Sequence, residues 1–288
     1  MRLSFITDEA TQSFEEAVAF AGKYGLQGLE LRSIENLAVD QLEKETLLEM
    51  KRRLDGEGLC ACSIAGSFYK CSRLDEKAVR EEWEKLKRLC AAADILECPV
   101  IRGFSFWQEG GCAPGGQLSP FYEEPARILR QWGKRLLLEA DPSVNTTNHG
   151  ALAGLLGLLD GNLFGAIYDP GNDIYDPLGE RPYPEGYEAI APYLGHIHIK
   201  DAILQDGKPE CVKVGTGLVD YPALFARLRA DGYDGWLSLE THYRKNAELS
   251  EEQLRRPQGA GFTAGGWEAT AESAEALKKL LTQAGISV

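Results

Sequence analysis

Long apolar runs are missing from this chain of 288 residues. A membrane-spanning helix needs roughly 20 consecutive apolar residues, and the sequence contains no such run. The opening segment MRLSFITDEA enters a strand pattern directly, without the basic start and apolar core of a signal peptide. We therefore expect a cytoplasmic protein with no membrane partner.

Positive charge is also scarce. The chain has 31 Lys and Arg residues against 44 Asp and Glu residues, a net charge of −13 at pH 7. A field of this sign repels phosphate backbones. The densest basic stretch, Arg244-Lys245 with Arg255-Arg256 nearby, is interrupted by acidic residues. We therefore expect no nucleic-acid partner.

Paired cysteine motifs are absent as well. The seven cysteines are an odd number and show no CxxC spacing. Cys60 and Cys62 would share one face of a strand, where they would bridge poorly. This usage is typical of reduced thiols in a cytosolic protein, and we expect no disulfide framework.

What the chain does contain is a regular alternation of short apolar and longer amphipathic segments. The strand candidates are RLSFIT, GLELR, CACSIA, PVIRGF, RLLLEA, FGAIYD, GHIHIK and GWLSLE. The first helix pattern runs from Ser13 to Tyr24, with Ser13 and Glu16 as a capping box and Gly25 as its end. Later helix patterns cover roughly residues 39–56, 75–93, 122–132, 148–159, 186–193, 222–231 and 270–284.

Eight strands alternating with eight helices predict an α/β fold, a (β/α)8 TIM barrel, whose typical length is about 250 residues. The rival is an open doubly wound sheet, which would carry a glycine-rich turn after its first strand. That turn here reads TDEATQS, without glycine. We expect a single domain over residues 1–288, with insertions near 108–119 and 242–266. Both insertions follow strands and would lie at the catalytic rim, unless they are merely surface loops.

Four of the strand candidates end in a potential metal ligand: Glu139, Asp169, His198 and Glu240. Their separations of 30, 29 and 42 residues are close to one strand-plus-helix unit. In a parallel barrel such strand ends converge at one rim. Any one carboxylate could simply face solvent or cap a helix, but four ligands in register favour a bound cation. Three carboxylates and one imidazole suit a hard or borderline divalent ion.

Strand alternation places further side chains on the same faces. His196 would lie one layer below His198, as a hydrogen-bonded core histidine. Lys200 and His242 would lie one layer above, where each is a candidate substrate contact. The alternative for Lys200 is a surface pair with Asp201.

Other candidate substrate contacts follow earlier strands. Arg102 would meet either an anionic ligand or Glu30, the obvious internal partner and itself a candidate contact. Trp107 could stack on a sugar face or cover the top of the barrel. The VGTG turn after the seventh strand could offer backbone N–H groups to a phosphate, or could be only a tight turn.

The segments LLLEADPSVNTT, IYDPGN, LGHIHIKDA, VGTGLVDY and GYDGWLSLETH resemble the second half of the xylose-isomerase-like TIM-barrel superfamily, the sugar phosphate isomerase/epimerase group. The opening strand and GLQGLELR resemble its first half. The resemblance implies that Glu139, Asp169, His198 and Glu240 hold one divalent ion. It favours Mn²⁺, with Mg²⁺, Co²⁺ or Zn²⁺ also compatible.

The resemblance also implies catalytic roles. In the epimerases of this group the two metal-ligating glutamates are the acid/base pair, which assigns that work to Glu139 and Glu240. The epimerases usually have a histidine three residues after the metal aspartate, where this chain has Asn172. Asn172 could bind a substrate hydroxyl, but it could not relay a proton.

These observations predict a metal-dependent isomerase or epimerase of a sugar, either a ketose/aldose or a cyclitol. It would abstract a proton next to a carbonyl through a metal-stabilised enediolate. The alternative is a lyase of the inosose dehydratase type that uses the same site. A phosphodiesterase like endonuclease IV would need a histidine-rich cluster, and this chain has four histidines. A non-catalytic barrel would not need all four ligands. The expected partner is a small carbohydrate or polyol, and a homo-oligomer is left open.

Overall fold

The computed structural model describes residues 1–245 and 247–287, and its centre is a closed barrel of eight parallel strands. The strands are β1 (Arg2–Ile6), β2 (Gly28–Leu31), β3 (Ser33–Ile34), β4 (Leu37–Ala38), β5 (Cys60–Phe68), β6 (Val100–Gly103), β7 (Arg135–Glu139), β8 (Phe164–Tyr168), β9 (Leu194–Ile199), β10 (Asp201–Gln205), β11 (Lys208–Val212) and β12 (Trp236–Leu239). The order around the barrel is β1-β12-β9-β8-β7-β6-β5-β2, and all eight predicted strands belong to it.

Helices connect the barrel strands. They are α1 (Phe14–Tyr24), α2 (Lys44–Gly56), α3 (Glu76–Ile95), α4 (Gly115–Leu118), α5 (Glu123–Trp132), α6 (His149–Leu156), α7 (Pro170–Ile174), α8 (Tyr187–Ile190), α9 (Tyr221–Ala230), α10 (Glu251–Arg255), α11 (Gly259–Thr263) and α12 (Gly266–Gln283). The predicted (β/α)8 barrel is therefore confirmed.

The lower half of the barrel is filled with apolar side chains. Leu137 of β7 points across the interior, where a Cβ at Gly165 or at Gly195 would lie 2.8 Å from its methyl groups. The strands read as nearly continuous apolar runs because both of their faces are buried. The Arg135 guanidinium also lies in this half, 2.9 Å from a Cβ placed at Gly165, whereas the acidic side chains of the site lie at the opposite, carboxyl-terminal end.

The caps of the first helix, α1, agree with the sequence only in part. Ser13 caps α1 by accepting a hydrogen bond from the Glu16 N–H, and Gly25 ends the helix at φ 64°. The predicted capping box is only half formed, because the Glu16 carboxylate accepts from the Thr11 hydroxyl at 2.5 Å. The Ser13 N–H donates instead to Thr11 Oγ1 at 3.0 Å.

Two predicted helix boundaries were wrong. The helix expected from Val39 begins only at Lys44, because residues 39–41 form one 3₁₀ turn and Leu42 is extended. The helix expected over 186–193 is α8 followed by a 3₁₀ turn at Ala191–Tyr193. Pro192 in that turn has no N–H to continue the α-helical hydrogen bonding.

A hairpin that the sequence analysis missed lies above the barrel. Strands β10 and β11 pair antiparallel, joined by Asp206 and Gly207, both at positive φ. An Asp-Gly pair between extended segments is a strong hairpin signal. The dipeptide in LQDGKP could therefore have revealed this hairpin.

The VGTG turn does not offer its N–H groups to a ligand. The Asp201 carboxylate accepts hydrogen bonds from Gly215 N and Gly217 N at 2.9 Å each, and from Val219 N at 3.2 Å. The phosphate-binding interpretation of this turn was therefore wrong. The same contacts also remove Asp201 as a surface partner for Lys200.

All seven cysteines are free thiols. Among the residues that the structure describes, no helix combines the length and apolarity that crossing a bilayer would require.

We predict that Gly217→Ala destabilises the barrel, because the added Cβ would lie 2.1 Å from Asp201 Oδ1 and 2.5 Å from the Ala202 carbonyl oxygen. Overpacking of this kind costs about 1–3 kcal/mol. Denaturant unfolding followed by circular dichroism measures the change. Gly154→Ala is the matched control, since nothing lies within 4 Å of a Cβ at that helical glycine. Equal midpoints for the two variants would contradict the prediction.

Candidate active site

Four ionisable side chains from neighbouring strands meet at the carboxyl-terminal end of the barrel. Glu139 ends β7, Asp169 and Glu240 directly follow β8 and β12, and His198 lies in β9. One potential ligand atom from each of these four residues lies within 4.8 Å of the others, and all four are buried. The register that the sequence predicted thus brings the four groups together.

His198 presents one ring nitrogen to the carboxylates and the other to Glu30. Its Nδ1 lies 3.2 Å from Glu139 Oε1 and from Glu240 Oε2, and 3.8 Å from Asp169 Oδ2. Its Nε2 lies 3.3 Å from Glu30 Oε1. A carboxylate behind a ligating histidine fixes the ring and its tautomer. Nδ1 is then the nitrogen available to a cation.

Glu30 has a different place from the one predicted. Its carboxylate is fully buried and also lies 2.9 Å from His196 Nε2. His196 is therefore the hydrogen-bonded core histidine that the sequence suggested. Because Glu30 faces two histidines below the cavity floor, it supports the site from behind rather than facing a substrate.

Asp169 is held so that one oxygen is left for the cluster. Its Oδ1 caps α7, accepting from Gly171 N at 2.9 Å and Asn172 N at 3.3 Å. The Asp-Pro start of this helix fits the preferences for the cap and the first helical position. Lys200 Nζ lies 2.6 Å from Oδ2 as a close ion pair, so this oxygen faces the cluster beside an ammonium group.

The donor set fits a divalent cation. Three buried carboxylates and an imidazole whose Nδ1 faces them are the groups that such an ion uses. Burial lowers the pKa of His198, but the carboxylates of Glu30, Glu139 and Glu240 raise it well above its usual value. A cation at Nδ1 would take the place of that proton.

The Arg102 guanidinium binds both glutamates of the cluster. Arg102 Nη1 donates to Glu139 Oε2 at 3.0 Å and to Glu240 Oε1 at 3.1 Å, so it bridges the two. The expected Arg102–Glu30 pair was wrong. Strand β6 lies beside β7, which carries Glu139, whereas Glu30 lies two strands away on β2.

Both glutamates are ionised in this setting. Burial raises the pKa of Glu240, but Lys200 and His198 hold it well below its usual range. The pKa of Glu139 is also lowered, because Arg102 and His198 outweigh burial and the Glu240 charge. In contrast, burial raises the pKa of Asp169 despite the nearby Lys200.

A cavity of about 600 Å³ opens above this cluster. It is lined by six of the predicted site residues: Arg102, Glu139, Asn172, Lys200, Glu240 and His242. Its upper wall includes Lys208 and Cys211 of the β10–β11 hairpin and Leu254 and Arg255 of the 242–266 insertion. This volume accommodates a small-molecule ligand.

Asn172, Lys200 and His242 present polar groups to the cavity. Asn172 Nδ2 donates to Glu139 Oε1 at 3.2 Å, and Lys200 Nζ donates to Glu240 Oε2 at 3.1 Å. Lys200 is buried, so the surface alternative for it was wrong. Burial lowers the pKa of His242 to about 3, so its ring is neutral at pH 7.

Trp107 does not line this cavity. It is 6% exposed and packs with Phe104 and Val144, while the Arg255 guanidinium lies 4.4 Å from its ring centroid. Of the two predicted positions for Trp107, stacking on a sugar in this cavity does not fit, and a covering position beside the barrel end does. Through Arg255 it contacts the 242–266 insertion, whose Asn246 lies outside the described residues.

Sequence reasoning missed an acidic pair that follows β1. Asp8 and Glu9 are fully buried, and each accepts a hydrogen bond from Arg32, at 2.7 and 2.9 Å. Arg32 also donates to Glu240 Oε1 at 2.8 Å. The signal was two adjacent acids at the end of a barrel strand, in the TDEATQS turn that lacks glycine.

The protein is thus a (β/α)8 barrel that carries a cluster of buried ionisable groups at the carboxyl-terminal end of its strands. The sequence matches the Xylose isomerase-like TIM barrel family over residues 18–280. The chain belongs to this family, and the resemblance noted from its motifs is confirmed.

Individual relatives are distant. An inosose dehydratase of Klebsiella pneumoniae (strain 342) is 23% identical over 217 residues, covering 66% of this chain and 72% of the relative. The structure of the IOLI protein with a binding zinc atom has a TM-score of 0.76 at 15% identity, covering 98% of this chain and 99% of the other. The structure of 3-keto-D-glucoside 4-epimerase from E. coli has a TM-score of 0.70 at 16% identity, with the same coverages.

We predict that Asp169→Asn lowers the affinity for Mn²⁺ by at least about 100-fold, since removing a ligand should exceed the 10–100-fold typical of groups behind the ligands. Isothermal titration calorimetry of the folded protein measures this. Glu251→Gln, a rim acid of the same cavity outside the cluster, should bind Mn²⁺ like the wild type. Unchanged affinity in Asp169→Asn would remove this residue from the ligand set.

Proposed function

We propose that this protein is a divalent-metal-dependent enzyme that abstracts a proton next to the carbonyl of a small sugar or cyclitol. The observation that carries the proposal is the buried group Glu139, Asp169, His198 and Glu240, whose two glutamates line a cavity of about 600 Å³. The family relationship supports the same class. Isomerisation or epimerisation is the outcome that we propose first.

The metal would be held by those four residues. When bound there, a divalent ion would polarise a substrate carbonyl and stabilise the negative charge that develops on its oxygen. The related IOLI structure contains a bound zinc atom, which supports a divalent ion in this chain as well, and the family resemblance leads us to propose Mn²⁺ as the native one.

Glu139 and Glu240 would move the proton. Both line the cavity, and the Arg102 guanidinium lies between them at 3.0 and 3.1 Å. This arginine keeps two neighbouring carboxylates ionised, and only an ionised carboxylate can accept a proton. Glu139 would remove the proton from carbon, and either Glu139 or Glu240 would return it. Return to the opposite face gives an epimer, and return to the neighbouring carbon gives an aldose–ketose pair.

Three further side chains would bind the substrate. The Lys200 ammonium and the neutral His242 ring lie above the glutamates and can bind oxygen atoms of a polyol. Asn172 can donate to a hydroxyl while it holds Glu139 through its amide. The 108–119 and 242–266 segments would be rim insertions of one barrel domain, the second of them forming a wall that limits access of water.

A lyase reaction at the same site is the second candidate. It is favoured by Lys200, whose ammonium reaches the cavity beside Glu240 and could bind a departing hydroxyl oxygen. The similarity to an inosose dehydratase supports it as well. Asn172 cannot relay a proton, which also fits a lyase better than a symmetric epimerase.

Incubation in D₂O with Mn²⁺ should separate the two outcomes. We expect NMR to show deuterium at the carbon next to the carbonyl of candidate ketoses, because the abstracted proton exchanges with solvent. Recovery of isomeric sugars without loss of water supports the isomerase or epimerase. Loss of water with absorbance of a conjugated carbonyl product from an inosose supports the lyase. Absence of exchange and of product across ketoses, aldoses and inososes, with Mn²⁺ bound, would contradict both.

Glu139→Gln should lower kcat by about 10²–10⁴-fold, the range for loss of a general base, when assayed at saturating Mn²⁺. The amide keeps the size of the side chain but cannot accept the proton. Glu185→Gln, an exposed glutamate paired with Arg181, is the control that should keep wild-type kcat. A Glu139→Gln variant within threefold of wild type would assign the base to another residue.

A further inference from the structure

Arg32 lies beside the proposed metal centre, although the proposed chemistry gives it no role. It follows β2, is 6% exposed, and donates from three nitrogens to three carboxylates. Nε donates to Asp8 at 2.7 Å, Nη2 to Glu9 at 2.9 Å, and Nη1 to Glu240 at 2.8 Å. A planar guanidinium spreads its donors over three nitrogens that match these three positions, whereas the three donors of an ammonium all leave one nitrogen.

The rest of the guanidinium environment fixes this arrangement. The Phe262 ring centroid lies 4.7 Å from the Arg32 Cζ atom, and Ser33 Oγ donates to Asp8 Oδ2 at 2.5 Å. Asp8 and Glu9 belong to a 3₁₀ turn that directly follows β1. Arg32 therefore connects the end of β2, the turn after β1 and the end of β12.

The contact with Glu240 separates the two oxygens of that carboxylate. Oε1 accepts from Arg32 and from Arg102, at 2.8 and 3.1 Å. Oε2 is left facing His198 Nδ1 at 3.2 Å and Lys200 Nζ at 3.1 Å. Since Oε2 lies on the side of the proposed ligand cluster, the arginine contacts determine which oxygen a cation would meet.

Glu9 extends the same cluster to His242. Its Oε2 accepts from the His242 backbone N–H at 3.1 Å and from the Thr241 hydroxyl at 3.3 Å. His242 has φ 45°, a left-handed conformation that costs a non-glycine residue about 1 kcal/mol or more. The hydrogen bond from its N–H helps to hold this conformation, which places the ring in the cavity wall.

We propose that Arg32 is a positioning residue, which, anchored by Asp8 and Glu9, orients Glu240 so that Oε2 faces the bound cation. The inference rests on the proposed metal centre and adds to it residues that do not themselves touch the cation. Groups behind metal ligands commonly change metal affinity about 10- to 100-fold when they are removed.

The test compares Mn²⁺ affinity, measured by the electron paramagnetic resonance signal of free Mn²⁺, in a double-mutant cycle of Arg32→Met and Glu240→Gln. We expect Arg32→Met to weaken binding about 10- to 100-fold. In the Glu240→Gln background the same substitution should change the affinity less than about threefold, because the oxygen that Arg32 orients is gone. A merely structural role would weaken both backgrounds equally.

Arg32→Lys covers the case in which Arg32→Met does not fold. Lysine keeps the charge but lacks the three separate nitrogens that reach these carboxylates. The Mn²⁺ affinity of this variant should therefore still fall at least about fivefold, a loss that Glu240→Gln should again remove. Arg88→Met is the matched control. Arg88 is half exposed and pairs with Asp40 at 3.0 Å, so this variant should bind Mn²⁺ like the wild type.

The outcomes separate the two proposals. Saturable Mn²⁺ binding by the wild type, with unchanged affinity in the folded Arg32 variants, would overturn the positioning role alone. An equal loss in both Glu240 backgrounds would do the same. If the wild type binds no Mn²⁺, Zn²⁺, Co²⁺ or Mg²⁺, the proposed function fails and the inference fails with it.

Discussion

The compensation of buried negative charge at one end of the barrel is the constraint on which the site depends. Glu30, Glu139, Asp169 and Glu240 are almost completely excluded from water, and an uncompensated buried carboxylate is costly. Histidines compensate Glu30, Arg102 lies between the two other glutamates, and Lys200 approaches Asp169. Three carboxylates and one imidazole nitrogen nevertheless converge within 4.8 Å of one another, and this is why we propose that the arrangement is completed by a divalent cation.

The parallel barrel makes this concentration of charge possible. Below the charged cluster, the Leu137 side chain packs closely against Gly165 and Gly195. The segments that follow the strands then build the walls. These walls come from the β10–β11 hairpin and the segment after β12. They therefore belong to other parts of the chain than the strand-end residues of the cluster. Under the proposed function, the charged cluster would fix the class of chemistry and the walls would select the substrate.

Much of the fold could be predicted from local patterns. The eight apolar runs became the eight barrel strands, because a strand that is buried on both faces has to be apolar along its length. Regular spacing of Glu139, Asp169 and His198 predicted that they meet, since each ends the same structural unit. Pairing partners could not be predicted in the same way. Arg102 faces Glu139 on the adjacent strand rather than Glu30, and the Gly215–Gly217 turn binds Asp201 rather than a ligand.

The sequence by itself determined the strand–helix alternation, the barrel and the four converging side chains, because each follows from periodicity and from the position of a residue along its strand. Only the tertiary structure decided which basic side chain pairs with which carboxylate. In the folded chain, Glu30 pairs with the histidines, and Lys200 pairs with Asp169 and Glu240. Arg32 pairs with Asp8, Glu9 and Glu240. These choices depend on distances across the barrel between strands that are remote in sequence. No local pattern records such distances, and electrostatic energies in a dry interior change steeply with them.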